Sequence, residues 1–236
     1  MDNTIFTISI LFFAPFVTGL ITQRIKQQNT FVTKLLLSFS GAYLLGMCFL
    51  HLVPEVYGTL GFNTGVWILV GFFLQIGLEF ISKGIEHGHV HLHAHEKFFP
   101  WALLISLCIH SFFEGFPMQQ DFHDHAGHGM LTGVTLHKIP VAIALVSLLK
   151  QAKLSKNMQL GLLLLFCLMA PFGVIANGFF DFNQLQLLMP IALAILIGIL
   201  LHVATTILFE VNENHKFNAI KFITVLVGAI LSFIMN

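Results

Sequence analysis

Charge is what this sequence has least of. Its 236 residues include 11 Lys and Arg and 11 Asp and Glu, so 9% are charged, against about 25% in a soluble domain. So little charge cannot cover a water-facing surface, which excludes an ordinary soluble globule. The bases and acids balance to a formal net charge of zero, and nothing in that balance suggests nucleic acid as a partner. Cysteine is scarce as well. Cys48, Cys108 and Cys167 stand far apart in apolar stretches, without C-x-x-C spacing, and read as reduced packing residues. What is present is apolar: 56% of the chain is hydrophobic and 26 residues are Phe, the composition of an integral membrane protein embedded in a lipid bilayer. Against this background 13 His outnumber either the acids or the bases, and metal is the most economical explanation.

A helix needs about 20 apolar residues to cross a hydrocarbon core of ~30 Å. Eight stretches approach that length, at about 4–22, 35–56, 65–82, 100–120, 130–149, 158–177, 188–209 and 217–235. The fold expected is therefore an all-α integral membrane protein of eight transmembrane helices, one transmembrane domain over 1–236. The first stretch has Asp2 before it and Arg24 and Lys26 after it, the reverse of a signal peptide's charge order, so it is expected to stay as a helix. Lys34, Lys83, Lys97, Lys150, Lys153, Lys156, Lys216 and Lys221 fall in or beside alternate connections, while 57–64, 121–129 and 178–187 hold no Lys or Arg. The positive-inside rule then puts both termini on the extracellular or periplasmic side. Rows of small residues, Ser38–Ala42–Gly46 and Ala194–Gly198, suit close helix packing in lipid. His202 extends the second row by one more step and is expected to face protein.

Polar residues inside the spans are few. In the fourth, Ser106, His110 and Glu114 recur every four residues and form one stripe. His110 and Glu114 are one turn apart, about 6 Å along the axis, so both can turn to one cation. In the fifth, His137 and Lys138 precede Pro140, which displaces the helical bond to the carbonyl of Leu136. Pro117 does the same to Phe113 in the fourth. Freed carbonyls at membrane depth are tolerable where they line a cavity or meet an ion. Two imidazoles and a carboxylate suit Zn²⁺ and tolerate Fe²⁺ or Mn²⁺. A structural Lys138–Glu114 ion pair without metal is the alternative, and the two are compatible. For His202, a simple hydrogen bond between helices stands beside a place on the ion pathway.

Taken together, H-S-x-x-E-G in the fourth span, H-K-x-P in the fifth, H-L-x-P-E at His51–Glu55 and a His-rich cytosolic loop over 83–99 resemble the Zrt/Irt-like (ZIP) divalent-metal transporters over essentially the whole chain. The resemblance implies a metal site between the fourth and fifth helices, with His110, Glu114 and His137 in the first of two adjacent positions. Ser111, Lys138 and Pro140 are its neighbours. Where many members carry second-site ligands, this chain has Lys138, Val141 and Ala170, so a single main site is expected, with Lys138 or a proton neutralising Glu114 when metal is absent. His51 and Glu55 fit an entrance, although capping and inter-helix hydrogen bonding explain them equally well. Glu210 and His215 fit an exit contact. His123, Asp124, His125 and His128 outside, and His87, His89, His91, His93 and His95 inside, are auxiliary metal-binding loop residues or nonspecific chelators. No cofactor is required: Zn²⁺ or a related divalent cation is the transported substrate. The expected location is a bacterial inner (cell) membrane, and a homodimer is allowed with no interface legible. The rivals are an intramembrane metal-dependent hydrolase, for which H-E-x-x-H is absent, and a metal-sensing membrane protein without flux.

Overall fold

The computed structural model describes residues 2–25, 30–82, 101–118, 125–210 and 218–234, and every regular element among them is helical. In chain order these are α1 (Asp2–Arg24), α2 (Thr30–Met47), a π-helical turn (Cys48–Leu52), α3 (Val53–Leu60), α4 (Asn63–Ser82), α5 (Trp101–Gly115), α6 (His125–Gln151), α7 (Lys156–Asn177), α8 (Phe182–Glu210) and α9 (Ala219–Ile234). Six runs are long and apolar enough to cross a membrane: Thr4–Arg24, Phe31–Leu60, Asn63–Phe80, Gly129–Gln151, Lys156–Asn177 and Gln184–Phe209. Trp101–Gly115 and Ala219–Ile234 are apolar but shorter. Among the described residues the eight expected stretches thus divide into six full-length helices and two short ones.

Prolines account for two departures from the expected spans. The second stretch runs on beyond 35–56 as one composite helix from Thr30 to Leu60, with the π-turn set just before Pro54. Pro54 cannot donate to the carbonyl of Leu50 and its ring crowds that carbonyl. A π-turn widens the helix there without breaking it. The fourth stretch, expected to reach residue 120, ends as a helix at Gly115. The residue before a proline is disfavoured in the helical region, so Phe116 and Pro117 leave the helix in a turn closed by Met118 N–H on the Gly115 carbonyl at 3.0 Å. Pro117 therefore ends α5 rather than distorting it, and the freed Phe116 carbonyl accepts from Asn177 Nδ2 at 2.9 Å. By contrast, α6 and α7 continue through Pro140 and Pro171.

Helices pair where glycine removes the Cβ. A Cβ on Gly71 would fall 1.9 Å from the Ile195 carbonyl oxygen, and one on Gly198 2.0 Å from that of Ile68, so α4 and α8 touch backbone to backbone. Gly115 and Gly173 do the same for α5 and α7, against the carbonyls of Ala170 and Phe112. The expected small-residue rows serve this packing: Ala42 and Gly46 meet Gly228 and Ser232 of α9. Two groups of helices result. One gathers α1, α5, α6 and α7; the other gathers α2, α3, α4, α8 and α9; α2 against α6 and α4 against α5 join them. At the end holding residues 22–25 and 150–159, Lys150 Nζ donates to the carbonyls of Thr22 and Ile25 at 3.2 and 2.5 Å. A cation there satisfies the last carbonyls of α1.

Apolar side chains cluster in two places. Leu103, Leu104 and Leu107 of α5 pack with Val141, Leu145 and Leu149 of α6 and Phe166 of α7. Met118, Met130 and Val134 belong to the other cluster, with Tyr43, Met47 and Ala170. Along both α5 and α6, residues 110–114 and 137–138 lie between these clusters. The polar band is thus enclosed by hydrocarbon at both ends.

Candidate metal centre

Helix α5 delivers Ser106, His110 and Glu114 on one face because they are four residues apart, and all three are buried. Helix α6 delivers His137 and Lys138, both at most 3% exposed. Among the described residues His110, Glu114 and His137 form the one cluster of metal-ligating type, with a ligand atom from each lying within 4.8 Å of the others. A tetrahedral Zn²⁺ with bonds of about 2.1 Å holds its donors roughly 3.4 Å apart. His110 Nε2 and Glu114 Oε1 are already at 3.2 Å, and the two imidazole centroids are 6.1 Å apart. Closing round an ion therefore needs only side-chain adjustment.

The two oxygens of Glu114 have different surroundings. Oε2 accepts from Lys138 Nζ at 2.6 Å, and the same ammonium donates to Ser111 Oγ at 2.7 Å. Oε1 faces His110 without the alignment of a hydrogen bond. Oε1 and both ring nitrogens of His110 are buried with no hydrogen-bond partner among the described residues. Buried polar atoms are normally satisfied, and each exception costs about 1–3 kcal/mol. Glu114 Oε1 and the His110 Nε2 that stands 3.2 Å from it fit a cation as their missing partner, while His110 Nδ1 lies on the other edge of the ring. Val141 and Ala170, whose side chains carry no ligand atom, are both packed into apolar clusters. Lys138 completes its surroundings with the face of Phe166, whose centroid is 5.3 Å from Nζ.

The remaining candidates lie elsewhere. His51 Nε2 is 3.0 Å from the carbonyl oxygen of Ser232, a contact between the composite second helix and α9, and Glu55 one turn on is exposed. His202 does face protein: Nε2 is 3.2 Å from Glu79 Oε2 of α4, and Phe72 meets its ring edge-on at 5.0 Å. His87, His89, His91, His93, His95, His123, Asp124 and His215 lie outside the described residues. His125 and His128 fall in the first turns of α6, and Glu210 ends α8, with side chains outside the described set. The cluster expected outside is therefore less of a loop than expected, since α6 starts at His125. Three residues were missed in the sequence. Gln75 and Glu79 recur at the same four-residue spacing as His110 and Glu114, a rule that would have found them. Phe166, one of 26 Phe, gave no signal.

A sequence model of the ZIP zinc transporters matches residues 86–236. No curated protein matches the chain.

Proposed function

The chain belongs to the ZIP zinc transporter family, and from that premise we propose that it carries a divalent cation, zinc foremost, towards the cytoplasm through one site made by His110, Glu114 and His137. Metal transport and membrane embedding come with the family; the ion, the direction and the residues are the proposal. The observation that carries it is the buried cluster of two imidazoles and a carboxylate, with donor atoms within 4.8 Å of one another. The reading also takes the eight apolar stretches as eight spans with both termini outside, in a bacterial inner membrane.

The mechanism follows from charge. An unpaired carboxylate at membrane depth is costly. In the empty carrier Lys138 offsets Glu114 through the 2.6 Å contact, so the site is close to neutral and tolerable in hydrocarbon. An arriving cation takes Glu114 together with His110 and His137, and water completes its shell. The ammonium gives up the carboxylate, and when the ion leaves towards the cytoplasm it returns. Lys138 keeps a fixed positive charge beside the site and disfavours a second ion there. The site therefore holds one metal. Anomalous diffraction from zinc-soaked crystals should give a single peak among these side chains; two peaks bridged by Glu114 would exclude this part of the proposal.

The family assigns transport rather than catalysis, and a flux assay separates the alternatives. Purified protein in sealed liposomes should give saturable Zn²⁺ entry, with Cd²⁺, Mn²⁺ and Fe²⁺ competing according to their fit to nitrogen and carboxylate ligands. Because His and Glu bind metal only when deprotonated, uptake should weaken as the external pH is lowered. Metal binding without flux would leave a sensor, and hydrolysis of a peptide or lipid without flux would leave a hydrolase.

A further inference from the structure

We infer that Phe166 is the second seat of the Lys138 ammonium, the place that receives the charge when a metal ion takes Glu114. This rests on the transport site proposed above and adds a positioning residue to it. Loading places a divalent cation, a carboxylate and an ammonium in one buried volume, where like charges repel strongly because the local dielectric is low. The ammonium must move off Glu114 Oε2 without becoming isolated, since an unpaired buried cation is itself costly. Two further contacts of the ammonium stand beside the carboxylate. Ser111 Oγ, at 2.7 Å, is one acceptor and leaves an ammonium's other donors unused. The other is the ring of Phe166, 5.3 Å from Nζ to centroid, inside the range over which an aromatic face attracts a cation. Phe166 is 1% exposed, so that face is shielded from bulk solvent in this conformation. Its ring belongs to the apolar cluster of α5, α6 and α7, on a third helix that supplies none of the proposed ligands. A shift onto the ring face would keep the charge in contact with the protein once the metal holds Glu114.

In the empty carrier the carboxylate at 2.6 Å dominates the hold on Lys138, and the ring contributes little. In the loaded carrier the ring carries a larger share. Weakening the aromatic face should therefore weaken metal binding, and only as long as residue 138 is charged. Truncating a buried ring risks the fold, so the test keeps its shape. Phe166 is replaced by phenylalanine carrying one, two or three fluorines, which drain the face of negative potential. Zn²⁺ affinity of the purified full chain is then measured by equilibrium competition with a chelator. The expected result is a stepwise loss, roughly fivefold to tenfold at three fluorines, that disappears in a Lys138→Gln background. Unchanged affinity across the fluorine series, or the same loss in both backgrounds, would overturn the inference. A Glu114→Gln control keeps the two levels apart. If that variant binds Zn²⁺ at this site as tightly as the parent, the site assignment falls and the seat falls with it. If it abolishes binding while fluorination has no effect, only the seat falls.

Discussion

Lys138 decides the character of the site at the level of single residues. It is among the largest fully buried side chains and holds both Ser111 and Glu114. Removing one member of a buried ion pair leaves an uncompensated charge, with a penalty of about 3 kcal/mol or more. Lys138→Met should accordingly lower the melting temperature of the metal-free protein, and added Zn²⁺ should restore most of the loss by neutralising Glu114. Differential scanning fluorimetry in detergent checks this; a melting temperature equal to the parent's without metal would show that the pair does not stabilise the fold. His202, buried, and Glu79, partly exposed, form a second His–acid contact, at 3.2 Å, between α8 and α4. Its geometry tells of helix pairing, since Gly198 brings the same two helices together one turn earlier.

At the scale of helices, proline and glycine set where ligands stand. Pro117 ends α5 one residue after Glu114 and its neighbour Phe116 is tied to Asn177 of α7, which fixes the end of the helix that carries two of the proposed ligands. The Gly115–Gly173 crossing fixes that helix against α7. A Cβ on Gly173 would lie 2.3 Å from the Phe112 carbonyl oxygen, so Gly173→Val should push α5 away, costing about 1–3 kcal/mol and reducing Zn²⁺ affinity. Gly161→Ala in the same helix, with open space around it, should leave both melting temperature and affinity at parental values. Loss of affinity in both variants, or in neither, would count against the crossing as the device that positions α5. These helices also mark what could be read beforehand. His110 and Glu114 were legible because a four-residue repeat on one helix needs no knowledge of its neighbours. The early end of α5 was not, because proline's preference against a helical predecessor competes with a long apolar run and the outcome depends on Asn177 across the interface. Phe166 was invisible for the same reason: its role exists only once α7 lies against Lys138.

For the whole molecule, the two helix groups meet through α2 with α6 and α4 with α5, and the candidate site lies in the group of α1, α5, α6 and α7. Along α5 and α6 apolar clusters lie on both sides of it. The proposed sidedness has its own check. Phe62 and Phe179, 88% and 81% exposed, lie in connections without Lys or Arg, whereas Lys153 lies in a basic one. Cysteines placed at 62 and 179 should react with an impermeant maleimide added to intact cells, and one at 153 only after permeabilisation; the opposite pattern would invert the topology. The claim on which the rest depends is that metal crosses through His110, Glu114 and His137. Initial rates of Zn²⁺ entry into proteoliposomes, compared for the parent, Glu114→Ala and His137→Ala at equal protein incorporation, test it most directly. The account predicts saturable entry for the parent and background rates for both variants; parental flux from either variant would contradict it.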